Sequence, residues 1–528
     1  MAINDNMVKP LNGERPVEYA DRLGRYYTTS SPDADKEEKG QVMTPVEVAD
    51  FMSSLFEKDT SHVKILDPGA GSGVLSCALC ERIVKSHRPL ESIVLVAYES
   101  DKEIYPVLKA SYDHLKQWMS KESVKLEYVI KREDFVLSNA GSLNYSMKFD
   151  SGTYDRFDFI ISNPPYFKIP KTDPRAKAAA AVVHGQPNIY AIFMAISARL
   201  LNSDGQLVFI TPRSFTAGPY FRLFRERFFS IIRPKHLHIF ESRTDAFDRD
   251  SVLQENLILA GVRDNNWFNE NKEYCSVISI SHGLKDLCSI KTREVRTREI
   301  IDLNSVNKFL CLPQSDEEED IIRLINSWDG KLHNYGMEIS TGPVVPFRAR
   351  TLIDNEGKVP SSHAPLLWMQ NVKEMSVSWP LEIRKEQYIK KNASSRPLLI
   401  NDRNYVLMRR FSAKEDDKRL VTAPYLAGSF GSEVIGLENH LNYIYRLNGN
   451  LDKDETIGLS ALLNCRLIDI YFRAFNGNTQ VSATEIRDMP LPPLELIKEI
   501  GQRITESKIS NGDLDKYISD LLIGKDRL

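Results

Sequence analysis

Residues 157–168 read FDFIISNPPYFK. An apolar run suited to a buried strand meets Asn163, Pro164, Pro165 and Tyr166 without a transition. Two successive prolines lack N–H groups and fix φ, so neither a strand ladder nor a helix continues through them. The strand must stop, leaving an amide, two rigid carbonyl-bearing residues and an aromatic ring at its carboxyl end. In open α/β sheets that edge is where ligands bind. A proline-rich turn after a core strand would give the same letters.

The segments on either side repeat one rhythm. VEVADFMSSLF (46–56) carries apolar residues at helical spacing, and VKILDPGAGSG (63–73) is a short apolar run that ends in an acid and a glycine loop. A helix pattern follows in VLSCALCERIVKS. Strand patterns follow in ESIVLVAYESD, which contains Glu99, in LEYVIKREDF, which reaches Asp134 and Phe135, and in DGQLVFITP; NIYAIFMAISARLL is the helix before the last of these. Strand and helix in steady alternation predict an α/β fold, a doubly wound and mostly parallel sheet covered on both faces. Residues 1–39 are polar and read as a loosely ordered arm, residues 40–265 as a catalytic domain, and 266–300 as a linker region. Residues 301–528, with shorter and more mixed segments, read as a second, mixed α+β domain that turns helical near its end.

Composition excludes several classes. The 528 residues are 42% hydrophobic and 27% charged, with no apolar run approaching a membrane span and no apolar leader near the N-terminus. A cytoplasmic protein with no membrane partner is expected. Six cysteines in such a chain do not make a disulfide framework, and the Cys77–Cys80 pair lies on a predicted helix with no second pair at zinc spacing, so no metal site is expected. The net charge of −3 gives no basic signature for the whole chain, yet residues 381–420 hold eleven Lys or Arg against six Asp or Glu.

The loop DPGAGSG, from Asp67 to Gly73, departs from the dinucleotide fingerprint. Its acid comes first, and its spacing is G-x-G-x-G. Asp67 suits an ammonium group. Glu99, at the tip of the next strand, is placed to accept from two ribose hydroxyls. An aminoacyl nucleoside fits this pair better than a pyrophosphate does. Upstream, in KGQVMTP, Thr44 reads as a helix N-cap with Pro45 and Glu47 completing a capping box.

In order, KGQVMTP, DPGAGSG, YESD, EDF, SNPPY, QPNIYAIF and DGQLVFITP resemble the motif series of the gamma-class DNA adenine-N6 methyltransferases, over about residues 39–262. FDRDSVLQENLIL, NYVLMRRFSAKEDDKRLV and FNGNTQVSATEIRDMPLP extend the resemblance to the BsuBI/PstI-like branch of type II restriction–modification methylases. The resemblance implies the class I S-adenosylmethionine-dependent methyltransferase fold, with S-adenosylmethionine as cofactor. Gln41 and Thr44 would border its methionine end. Asp67, Gly69 and Gly71 would form the loop beneath it, Glu99 would hold the ribose, and Asp134 and Phe135 the adenine. Met43 stands where the family often has an aromatic residue.

The resemblance also implies a mechanism for Asn-Pro-Pro-Tyr. An adenine amino group is a poor nucleophile because its lone pair is delocalised. The Asn163 side-chain oxygen and the Pro164 carbonyl, beside Pro165, would accept from that amino group and help it become tetrahedral. Tyr166 would stack on the flipped base and Phe247 would wall its other side. The partner is duplex DNA, read by the C-terminal half. There Arg348 and Arg350 are candidate base contacts, and Arg409 and Arg410 candidate phosphate contacts. FNGNTQVSATEI is a further candidate, although Ser482 to Glu485 also reads as a helix start. A monomer is expected, with a cognate restriction endonuclease as a functional partner, and the branch points to a hexanucleotide palindrome such as CTGCAG. The same pocket could serve RNA adenine or a protein glutamine, and a non-catalytic DNA-binding protein could keep the fold. The long C-terminal half favours duplex DNA over the first two, and the intact Asp67, Glu99, Asn163 and Tyr166 favour an enzyme over the third.

Overall fold

In a computed structural model, the described residues are 9–30, 43–57, 60–86, 90–143, 154–183, 185–241, 256–268, 273–301, 303, 305–357, 359–412, 416–476, 480–507 and 511–525. The chain forms two compact units, Met1–Leu312 and Pro313–Leu528.

The first unit is built on a nine-stranded sheet. Its strands are β1 (His62–Asp67), β2 (Ser92–Tyr98), β3 (Lys125–Lys131), β4 (Phe157–Ser162), β5 (Leu201–Pro212), β6 (Ile232–Phe240), β7 (Asn256–Arg263), β8 (Cys275–Ser281) and β9 (Lys291–Arg296). The order across the sheet is β3-β2-β1-β4-β5-β7-β6-β8-β9. From β3 to β5 every pairing is parallel; β7 inserts antiparallel between β5 and β6. This is the doubly wound, mostly parallel sheet that the sequence reading expected. Two separate apolar cores, one on each face, cover it, so its central strands read as nearly continuous apolar runs. Strand order reverses between β1 and β4, which places the carboxyl ends of both at the topological switch point. Cys77 and Cys80 are buried and unpaired in the helix after β1, as expected of packing residues.

Two boundaries differ from the sequence expectation. The supposed arm contains helix α1 (Pro16–Ser30), which buries Val17, Tyr19, Ala20 and Leu23. Polar composition hides it, because its apolar stripe is narrow and charge supplies the rest of its docking. Arg15 donates to both oxygens of Asp50 at 3.0 and 2.7 Å and through Nε to Glu81 at 2.8 Å, while the Val17 amide donates to the other Glu81 oxygen at 2.8 Å. Glu81 is buried, so these donors supply what water cannot. The supposed linker at 266–300 contains β8 and β9, which extend the same sheet. β9, KTREVR, reads as polar because it is an edge strand with a single buried residue, Val295. The first unit therefore ends at Leu312 rather than near residue 265.

The second unit contains a four-stranded antiparallel sheet ordered Met337–Thr341, Leu441–Arg446, Tyr405–Arg409 and Thr422–Tyr425, together with a five-stranded sheet and C-terminal helices. Helices Lys453–Asn464 and Arg466–Phe475 occupy the apolar stretch read as helical, and Ser482 and Glu485 form a capping box for helix Ala483–Asp488. Among the described residues no helix is long and apolar enough to cross a membrane, and no group of metal-ligating side chains is found.

Arg15→Ala should strip two carboxylates of their bidentate and buried partners. We expect a loss of about 1.5–3 kcal/mol, the range for hydrogen bonds to charged groups, read as a lower urea midpoint with unchanged slope. An unchanged midpoint would show that α1 docks by apolar contact alone.

Candidate active site

β1 ends at Asp67 and the chain turns through Pro68 to Gly73 into the next helix, Val74–Lys85. Gly71 and Gly73 adopt φ of 55° and 88°, conformations that glycine enters without a Cβ penalty. The loop is clasped from β2. Glu99 accepts from the Gly71 amide at 2.9 Å through one oxygen and from the Asp101 amide at 2.8 Å through the other. Each oxygen thereby keeps a lone pair for a further donor. Burial raises the Glu99 carboxyl, and its backbone hydrogen bonds oppose that shift. Asp101 in turn accepts from the Tyr27 hydroxyl of α1 at 3.0 Å.

Pro68, Gly69, Gly71, Glu99 and Asp101 line a cleft of about 660 Å³. Gly69, Gly71 and Glu99 form one wall, Asp134 and Phe135 another, and Asn163 and Pro165 lie on the same cleft. The carboxyl ends of β1, β2 and β4 thus meet in one space, of a volume suited to a small-molecule ligand. Asp134 caps the short helix Phe135–Asn139 by accepting from the Leu137 amide at 2.9 Å. Its other oxygen lies 3.9 Å from Arg175 Nη1. The rings of Phe135 and Phe193 sit 5.0 Å apart. Met43 also lines the cleft.

Arg175, Phe167 and Phe193 were not anticipated. All three line the cleft, with Arg175 held by Asp173 at 3.0 and 2.7 Å and its guanidinium 5.6 Å from the Phe167 ring centre. Nothing in TDPRAKA marks Arg175 in advance, because its role comes only from where a short helix after the proline motif is folded back.

Asp67 is not where the sequence reading put it. Its carboxylate is fully buried and turned into the protein, accepting from Ser76 Oγ, which also meets the Tyr112 hydroxyl at 2.8 Å. It supports the glycine loop from below and does not line the cleft. Burial pushes its carboxyl up to about 7 against the Ser76 and Gly69 hydrogen bonds.

Thr44 differs as well. Helix Val46–Ser54 begins after Pro45 and has no side-chain cap. The Thr44 hydroxyl, buried, instead accepts from Asn163 Nδ2 at 3.0 Å. Asn163 Oδ1 accepts from the Tyr166 hydroxyl, which also lies 3.0 Å from the Ile210 carbonyl on β5. Burial raises the Tyr166 phenol, so it remains a donor. Its ring meets Tyr190 edge-on, with centroids 6.4 Å apart. Pro164 is buried and Pro165 faces the cleft. Gln41 and Phe247 lie outside the described residues.

A family model described as the Eco57I restriction-modification methylase matches residues 86–247. The type II methyltransferase M.BsuBI of Bacillus subtilis is 31% identical over 494 residues, 93% of this chain and 95% of that protein. The chain belongs to the BsuBI/PstI branch of type II methyltransferases. The type II methyltransferase M.PstI of Providencia stuartii is 30% identical over 488 residues, 92% of each chain. The solved structure of the type IIG restriction endonuclease BpuSI aligns at 13% identity with a TM-score of 0.44, over 96% of this chain and 67% of that one. As a member of a restriction–modification methyltransferase branch, this chain is a DNA methyltransferase.

In this methyltransferase the residues expected to read DNA belong to the second unit. Arg348 and Arg350 are exposed, with the Arg348 guanidinium over the ring of Phe347. Arg409 Nε donates to the Val372 carbonyl at 2.7 Å, and Arg410 Nη1 donates to the Asn439 carbonyl at 3.0 Å. These two guanidiniums are therefore partly engaged by the fold.

The Asp67 carboxyl sets a pH dependence. Its folded value lies above the unfolded value of 3.8, so the stability it contributes is fully present below that value and is lost as pH rises through about 7. Asp67→Asn removes this loss. The variant should gain on the wild type when urea midpoints are compared at pH 8 and at pH 5; an equal difference at both would show that the carboxyl does not titrate in this range.

Proposed function

We propose that the protein is a sequence-specific DNA methyltransferase that transfers a methyl group from S-adenosylmethionine to the N6 amino group of a flipped-out adenine. The observation that carries this reading is the pairing, in one cleft, of an amide acceptor at Asn163 with a nucleoside-shaped wall at Glu99, Asp134 and Phe135. The residues fit the cofactor. Glu99 retains acceptor capacity for two hydroxyls after serving two amides, and Phe135 with Phe193 offers aromatic surface for a base. Asp134 has one oxygen beyond its helix cap to accept from an amino group. When bound, S-adenosylmethionine supplies a methyl group already activated as a sulfonium.

The protein's part is orientation and electrostatics. Thr44 holds Nδ2 of Asn163, which fixes the amide with its oxygen toward Tyr166. An arriving adenine amino group donates to Oδ1 and to the Pro164 carbonyl. Both bonds draw the nitrogen lone pair out of the ring plane's conjugation. The Tyr166 hydroxyl has the Ile210 carbonyl as its alternative acceptor, so it can yield Oδ1 to the substrate without losing a partner. The Tyr166 ring takes the stacking role and Phe247 the opposite wall. Arg348 and Arg350 contact bases of the duplex, which a cognate restriction endonuclease would otherwise cut.

Long-read sequencing of DNA from cells expressing the protein tests the reaction and reveals its site. N6-methyladenine in one sequence context is expected, and its absence would overturn the adenine assignment. Asn163→Ala should lower single-turnover methylation about a hundred-fold or more, by analogy with loss of an oxyanion-hole donor. Cofactor affinity should hold.

Thr44→Val removes the hydroxyl that orients Asn163. Single-turnover rate should fall about ten-fold or more, a positioning loss, with cofactor affinity unchanged and Thr44→Ser close to wild type. A collapse of cofactor affinity at normal turnover would return Thr44 to the methionine end of the cofactor.

A further inference from the structure

Three stretches of the second unit arrive at one end of its four-stranded sheet. Strand Met337–Thr341 leads into Gly342 and the turn that carries Phe347, Arg348 and Arg350. Strand Tyr405–Arg409 leads into Arg410 and Phe411, and strand Leu441–Arg446 is entered from Glu438, Asn439 and His440. Backbone bonds lock them together. Val344 donates to Leu437 at 3.0 Å, Asn439 donates to Val344 at 2.9 Å, and Arg410 donates to the His440 carbonyl at 2.9 Å. Gly342 permits this approach, since a Cβ there would meet the Glu438 carbonyl oxygen at 2.3 Å. Val481 joins the cluster by donating to the Arg410 carbonyl at 2.8 Å.

Beneath this end lies Glu438, 1% exposed. A carboxyl taken this far from water needs a hydrogen-bonding partner. His440 supplies one: its Nδ1 closes on Glu438 Oε1. Lys385 acts on the same carboxylate from a greater distance, over the ring of Trp368. With Nδ1 turned to the carboxylate, His440 keeps 46% of its side chain exposed, and no described residue bonds its Nε2. Two exposed aromatic rings belong to the same end: Phe411, 38% exposed and edge-on to His440 at 5.0 Å, and Phe347, 69% exposed. Cations interleaved with exposed rings are the footprint of a nucleic-acid surface.

We propose that His440, held by the buried Glu438, is a DNA-contacting donor of this methyltransferase, and that this end of the sheet is the face that meets the duplex. The inference rests on the second unit being the DNA-reading element. Glu438 is a positioning residue. It fixes the imidazole by Nδ1 and leaves the Nε2–H directed to an acceptor on DNA, either a phosphate oxygen or a base edge.

The test is fluorescence anisotropy of the full chain with two labelled duplexes, one bearing the site found by methylation sequencing and one with that site scrambled, between about 50 and 200 mM salt. His440→Ala should weaken binding to the mapped duplex about ten-fold, the loss of a base or phosphate contact near 1.4 kcal/mol. For a phosphate, the scrambled duplex weakens equally, and His440→Lys restores binding to both duplexes. For a base edge, the loss is confined to the mapped duplex and His440→Lys does not restore it. Should His440→Ala melt early because Glu438 is left bare, the double variant Glu438→Gln, His440→Ala is measured in its place. Wild-type affinity for both duplexes at every salt would overturn the proposal. Failure of the unaltered protein to bind either duplex would instead overturn the DNA-reading role of the second unit.

Discussion

The termination of β4 is the constraint on which the site depends. Pro164 and Pro165 remove two consecutive backbone donors, so the ladder to β1 and β5 has nowhere to go beyond Ser162. Asn163 then stands at the carboxyl edge of the sheet, beside the switch point where the carboxyl end of β1 opens its glycine loop. Everything else about Asn163 is a matter of holding it. Thr44 comes from the segment before β1, and the Ile210 carbonyl that shares Tyr166 comes from β5. The amide donates to Thr44 and accepts from Tyr166, and the Ile210 carbonyl holds Tyr166 in turn. Rigid neighbours give such an arrangement its precision, since the group that must meet a substrate is not free to rotate.

What the sequence disclosed depended on range. The strand ending in Asn-Pro-Pro-Tyr, the glycine loop and the Glu99 tip were readable because each is a local pattern, a period of apolar residues closed by residues of special backbone chemistry. Thr44 was misread as a cap because T-P-x-E does cap helices. Its actual partner lies 119 residues away, and no local rule reaches that far. Helix α1 was missed for a related reason: the acid that anchors Arg15 is 66 residues off. β8 and β9 escaped notice for different reasons: β8 buries four residues, but three of them are serines, and the edge strand β9 buries only Val295. The second unit was legible only as mixed. Its organisation comes from bringing residues near 344, 410, 440 and 481 to one sheet end, which no stretch of the chain announces by itself.

Asp67 illustrates how a motif residue can act one step removed from its ligand. An acid at the end of the first strand invites a direct role. Here the carboxylate is below the loop, bonded to Ser76 and linked through it to Tyr112. The wall facing the cleft is made by Pro68, Gly69 and Gly71. A carboxyl that burial brings near neutrality in its titration is well suited to such a supporting place, because its neutral form needs no counter-ion.

The tie between α1 and the cleft has a thermodynamic corollary. Tyr27 bonds Asp101, the Asp101 amide bonds Glu99, and Glu99 bonds the Gly71 amide, so three hydrogen bonds join α1 to the glycine loop of the cleft. Free energies of binding linked in this way are reciprocal. Whatever a ligand gains from a docked helix, the helix gains from the ligand. Helix α1 is therefore coupled to the cleft through Tyr27, and a substitution there is expected to bear on ligand affinity without altering a contact to the ligand.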